Sequence, residues 1–168
     1  VRRFSLIADT LSHVALSGVA IGLLIGTQPL LTTLIVTIIA SIAIERLRTG
    51  KNIPGEAVLA MFLPGGLALS IVLISLSHGF NANLFSYLFG SITTVREGEL
   101  WLILGLGILT IIVISLLYKK LLYTSFDEES ARVSGIRVEL VNTILIILTA
   151  ITVSLSMRVV GVLLIGAL

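Results

Sequence analysis

Asp9 and His13 are the residues of this sequence best suited to chemistry. They stand four positions apart in RRFSLIADTLSHVALSGVAIGLLIG, residues 2–26, where most other positions are Leu, Ile, Val and Ala. A helix turns by about 100° per residue, so an acid and an imidazole at this spacing share a face, and Ser5, Ser12 and Ser17 are read as extending it into a polar stripe. An ionised side chain near the middle of a bilayer costs about 3 kcal/mol or more, so the pair points to an ion path. Carboxylate oxygen and imidazole nitrogen are also ligands that divalent first-row metals accept. The same two groups would serve equally as hydrogen-bonding glue between helices.

The elements that must position this pair follow from composition. Of 168 residues, 57% are hydrophobic and 12% charged, with a mean hydropathy of +1.16. Soluble domains carry about 25% charged residues, so the reading is an all-α integral membrane protein. The absence of cysteine excludes disulfides and thiolate metal sites within these residues. A net charge of +2 spread around apolar segments gives no reason to expect nucleic acid as a partner. The chain opens at Val1 and stops inside an apolar run, and the expectation is a fragment of a longer permease-like protein.

A single transmembrane domain over residues 1–168 is expected, with spans near 3–26, 30–44, 56–77, 100–118 and 140–157. Pro64, Gly65 and Gly66 predict a kink or local unwinding in the third span. Residues 78–99, rich in aromatics, read as a short interfacial helix. Trp101, Tyr118, Lys119 and Lys120 are interface anchors of the fourth span. With Arg2 and Arg3 inside, alternation places nine of the eleven basic residues on the cytoplasmic side, leaving Arg96 and Arg158 outside. His78 is read as a partly solvated histidine at the outer boundary. Arg96, Glu97 and Glu99 read as a solvated outer face, and Glu45 and Glu56 as partners of Arg46, Arg48 or Lys51.

Two further stretches carry information. Gly18, Gly22 and Gly26 form overlapping GxxxG motifs, a ridge that lets a neighbouring backbone approach and fixes the rotation of the first span. In the cytoplasmic segment 121–139, YTSFDEESARVSGI predicts a short helix starting at Ser125, acidic in its first turn at Asp127, Glu128 and Glu129, and stopping at Gly135. Such a helix would carry force from a soluble partner, or the segment would be a solvated loop.

RRFSLIADTLSHVALSGVAIG, YLFGSI, FDEESARVSGI and MRVVGVLLIGAL, in that order, resemble the membrane permease subunit of zinc- and manganese-type ABC importers. The resemblance covers essentially the whole chain and implies a type II importer fold, like the cobalamin-importer permease, working as a homodimer in a bacterial plasma membrane. It implies that Asp9 and His13 are the intramembrane metal-coordinating or gating pair. By the same resemblance, Asp127, Glu128, Glu129, Ser130, Ala131, Arg132 and Gly135 belong to a coupling helix that docks into a cytoplasmic ATPase. YLFGSI, residues 87–92, lies by resemblance near the docking site of an extracytoplasmic metal-binding protein. The implied cargo is Zn2+ or Mn2+, with no permanently bound cofactor. ADTLSHVALSGVAIG and YLFGSI resemble the zinc members more closely. By the same resemblance, the family's first spanning helix and its last ones are expected to lie outside this sequence.

The chain has no GxxxxGK[ST] phosphate loop, so ATP hydrolysis is assigned to a separate subunit and the chain is read as a transport component, not an enzyme. A manganese or iron permease is the nearest alternative. A proton-coupled secondary transporter or channel would also bury an acid and a histidine, and a structural scaffold would use them only for packing.

Overall fold

The structure is a computed structural model and describes residues 4–50, 54–76, 88–90 and 97–167. Among the described residues seven helices follow one another: α1 (Phe4–Ile25), α2 (Pro29–Thr49), α3 (Gly55–Leu76), α4 (Glu97–Phe126), α5 (Glu128–Val133), α6 (Val138–Val160) and α7 (Val162–Ala167). Five of them, α1 to α4 and α6, are long and apolar enough to cross a membrane, and no strand occurs among the described residues. The β-branched run TLIVTIIASIAI is helical, as a segment that must satisfy its own backbone in lipid has to be. The interfacial helix expected over 78–99 falls largely outside the described residues, and His78 and Arg96 with it.

α1 runs through the middle of the bundle. Its Ile7 and Leu11 pack with Ile44, Val58, Leu59, Ile146, Ala150 and Val153, while Ala15, Leu16, Val19 and Ala20 pack with Ile74, Met157 and Val162. Both cores therefore share one helix, whose rotation is fixed by close backbone contacts. A Cβ on Gly18 would stand 2.7 Å from Thr33 Cα of α2, and one on Gly22 would meet the Thr32 hydroxyl and Pro29 Cα. On the α3 side, a Cβ on Gly66 would lie 3.1 Å from the Val14 backbone nitrogen. Gly26 departs from the expected ridge. Nothing approaches its Cβ position within 4 Å, and its φ of +74° ends α1 as a left-handed cap, with Thr27 N–H donating to Gly22 C=O at 3.0 Å.

The helix α3 continues unbroken through Pro64, Gly65 and Gly66, so the unwinding expected there does not occur. Here the small residues serve the approach of α1 instead. α4 is 30 residues long and buries only Glu99, Thr110 and Thr124. It occupies the rim, packed among the described helices on α6 and on α5. α6 breaks at Gly161, whose φ is +87°, before α7 begins. A Cβ there would stand 2.5 Å from Gly90 N and Phe89 C, so residues 88–90 cross the break backbone to backbone.

Candidate metal-path site

His13 Nε2 lies 3.5 Å from Asp9 Oδ1, with 21% of the His13 side chain and 31% of the Asp9 side chain exposed. The pair lies on the opposite side of α1 from Gly18 and Gly22, because nine positions separate Asp9 from Gly18 and an α-helix makes two and a half turns over that distance. Contact with α2 thus points the acid and imidazole away from α2 and leaves them half-open. His13 Nδ1 is buried and has no hydrogen-bond partner among the described residues. A buried nitrogen without a partner is costly, so this ring is held in a setting that does not satisfy it alone.

The polar stripe does not extend as read from spacing. Ser12 Oγ donates to Asp9 C=O at 2.7 Å and Ser17 Oγ to Val14 C=O at 2.6 Å, which commits both hydroxyl protons to the helix's own backbone. The side chain of Ser5 lies outside the described residues. Toward the C-terminal end of α1, Leu16 and Ala20 continue the same face and are buried in the apolar cluster that takes in Val162, Ile165 and Leu88. No group of three or more His, Cys, Asp or Glu side chains is gathered among the described residues. Among the described residues, one chain therefore brings two side chains able to ligate a metal to this point.

Residues 128–133 form α5, whose N-cap is Asp127 and not Ser125, since α4 continues to Phe126. The Asp127 carboxylate accepts from the backbone N–H groups of Glu129 at 3.0 Å and Ser130 at 3.1 Å, and from the Ser130 hydroxyl. Those bonds, the Ser130 hydroxyl first, hold its carboxyl below the usual carboxylate range. Ala131 is buried, whereas Glu129, Ser130, Arg132 and Val133 are exposed. The Glu128 side chain is outside the described residues. Gly135, at φ +80°, closes the helix: its N–H donates to Arg132 C=O and that of Ile136 to Ala131 C=O, both at 3.1 Å. α5 thus presents Glu129, Arg132 and Val133 from a firmly capped single turn and a half.

Two relationships were not legible from spacing. Glu99, expected on a solvated face, is buried and accepts from Arg158 Nη2 at 3.1 Å and Nε at 3.2 Å. Burial follows because α4 turns that position toward α6, where a charge needs an opposite charge. Thr37 of α2 and Ser154 of α6 share a hydroxyl contact of 2.6 Å. The expected pairing of Glu45 with Arg48 is present at 3.5 Å.

The whole of residues 1–168 matches the ABC 3 transport family. The chain belongs to that family. The manganese import system permease protein ScaB of Streptococcus gordonii is 34% identical over 99% of this ABC 3 chain and 60% of its own length. The high-affinity zinc uptake system membrane protein ZnuB of Haemophilus influenzae is 34% identical over 99% of this chain and 64% of its own length. Among solved structures, PsaBC from Streptococcus pneumoniae in complex with Fab superposes with a TM-score of 0.81 at 30% identity, covering 99% of this chain and 60% of that one. The ABC 3 chain thus spans about 60% of the length of these relatives.

Proposed function

We propose that this chain is part of the membrane permease of an ABC importer that moves a divalent first-row metal ion, most favourably zinc, into a bacterial cell. The observation that carries the reading is the Asp9 and His13 pair: two metal-ligand side chains 3.5 Å apart, half-open, on the central spanning helix. Their oxygen and nitrogen atoms would replace part of the hydration shell of a passing ion. Each chain contributes two such ligands, so a homodimer would bring four to a shared two-fold path. An extracytoplasmic metal-binding protein would deliver the ion at the outer face. A cytoplasmic ATPase would drive the cycle through α5, switching a two-state pore whose balance it biases.

For zinc, the support is the likeness of ADTLSHVALSGVAIG and YLFGSI to zinc permeases, together with the imidazole ligand. Manganese is the second reading, favoured by relatives of equal identity whose names specify manganese import. The class is tested by co-purification. An ATPase subunit that binds the complete permease, and is lost when residues 129–135 are replaced, supports an ABC importer; metal uptake with no such subunit supports a channel or secondary transporter.

A further inference from the structure

We propose that α4 is a rod that carries displacement of α5 across the membrane to the outer end of α6, and that the Glu99 and Arg158 ion pair is its outer joint. The inference rests on the reading of α5 as the ATPase-docking helix and concerns what happens after docking.

Four features converge on it. First, the rod is long and continuous: 30 residues without proline span about 45 Å at 1.5 Å per residue, more than the thickness of a bilayer core. Second, its inner end has no slack. Only Asp127 separates α4 from α5, and its N–H still donates to Tyr123 C=O at 3.2 Å, so motion of α5 is motion of the end of α4. Third, among the described residues few side chains grip the rod along its length. Leu104, Ile108, Ile111, Ile112 and Leu116 are exposed, and the three buried residues are Glu99, Thr110 and Thr124. Among the described residues the rod is thus held at Glu99, Thr110 and Thr124, with lightly packed stretches between them.

The fourth feature is where the outer end leads. Arg158 clasps Glu99 through two nitrogens on one carboxylate oxygen, with both side chains less than 9% exposed. Breaking a buried ion pair of this kind is costly, so the two ends move together. Arg158 is also three residues from Gly161, where α6 breaks into α7. Val162 and Ile165 of α7 pack on the outer half of α1, the helix that carries Asp9 and His13. A pull on Arg158 is therefore applied beside the Gly161 break, from which α7 leads to the helix that carries Asp9 and His13.

The test uses the complete permease assembled with its ATPase in lipid nanodiscs and reads three quantities: ATPase co-purification, basal hydrolysis, and stimulation by metal-loaded binding protein. Glu99→Gln is expected to leave co-purification and basal hydrolysis intact and to lower stimulation about fivefold or more, with the Glu99→Arg, Arg158→Glu exchange restoring most of it. The pair Ile111→Gly, Ile112→Gly softens the rod at exposed positions while leaving the joint in place, and the same loss is expected. Stimulation at the unsubstituted level in either Glu99→Gln or the glycine pair overturns the proposal, as does a loss in Glu99→Gln that the exchange leaves uncorrected. Val133→Arg on α5 tests the underlying reading separately. If the ATPase still co-purifies and is stimulated in that variant, docking through α5 fails whatever the Glu99 result.

Discussion

Thr37 Oγ1 of α2 and Ser154 Oγ of α6 lie 2.6 Å apart in a buried seam between two spanning helices. Each hydroxyl also reaches a carbonyl of its own helix at 2.8 Å, Thr37 that of Thr33 and Ser154 that of Ala150. A hydroxyl has one proton, so one of the two must release its backbone carbonyl to donate across the seam. The net gain is correspondingly small. A double-mutant cycle with Thr37→Val and Ser154→Ala, read by unfolding in mixed micelles, is expected to give a coupling of about 0.6 kcal/mol and no more than about 1.7 kcal/mol.

Gly65 and Gly66 are neighbours in sequence with opposite surroundings. A Cβ on Gly66 would press on Val14 at 3.0 to 3.2 Å, two of the three contacts being backbone, whereas nothing lies within 4 Å of one on Gly65. Gly66→Ala is expected to destabilise by about 1–3 kcal/mol through overpacking of α1 against α3. Gly65→Ala is expected to stabilise by about 0.5–1 kcal/mol, since alanine loses less backbone freedom in a helix. Thermal unfolding of the two variants side by side reads the difference, and equal effects would contradict the packing described.

Asp127 caps α5 in its ionised form. Because bonds from Ser130 and Glu129 lower its carboxyl in the folded state, its stabilisation is complete above the unfolded value of about 3.9 and is lost as pH falls through the lower folded value. A carboxyl-carbon NMR titration of Asp127 is expected to show a midpoint below that value, and Ser130→Ala is expected to raise it. A midpoint that Ser130→Ala does not move would show that the hydroxyl is not the main cause.

The family-level fold was open to reading because lipid leaves few options: apolar runs of this length must be helices, and basic residues sort their ends. Asp9 and His13 were visible for the same reason, as ionisable groups in a place that tolerates few. Ser12 and Ser17 misled because a hydroxyl's partner depends on rotamer as well as on face, and both turn back to their own backbone. Gly26 looked like the third step of a ridge, yet the helix ends there, and a glycine that caps is written with the same letter as one that packs. Glu99 was hidden by its position. A carboxylate at the start of an apolar run is ordinarily solvated, and only the approach of α6, 59 residues away in sequence, buries it against Arg158.

The central claim is that a divalent ion passes Asp9 and His13. It is tested most directly by metal uptake in cells carrying the complete permease with Asp9→Ala or His13→Ala, assayed with zinc and manganese side by side. Both variants are expected to assemble in the membrane with the ATPase bound and to lose uptake about tenfold or more, the scale of losing a metal-site ligand or its support. Uptake of both metals at the unsubstituted rate in either variant would contradict the account.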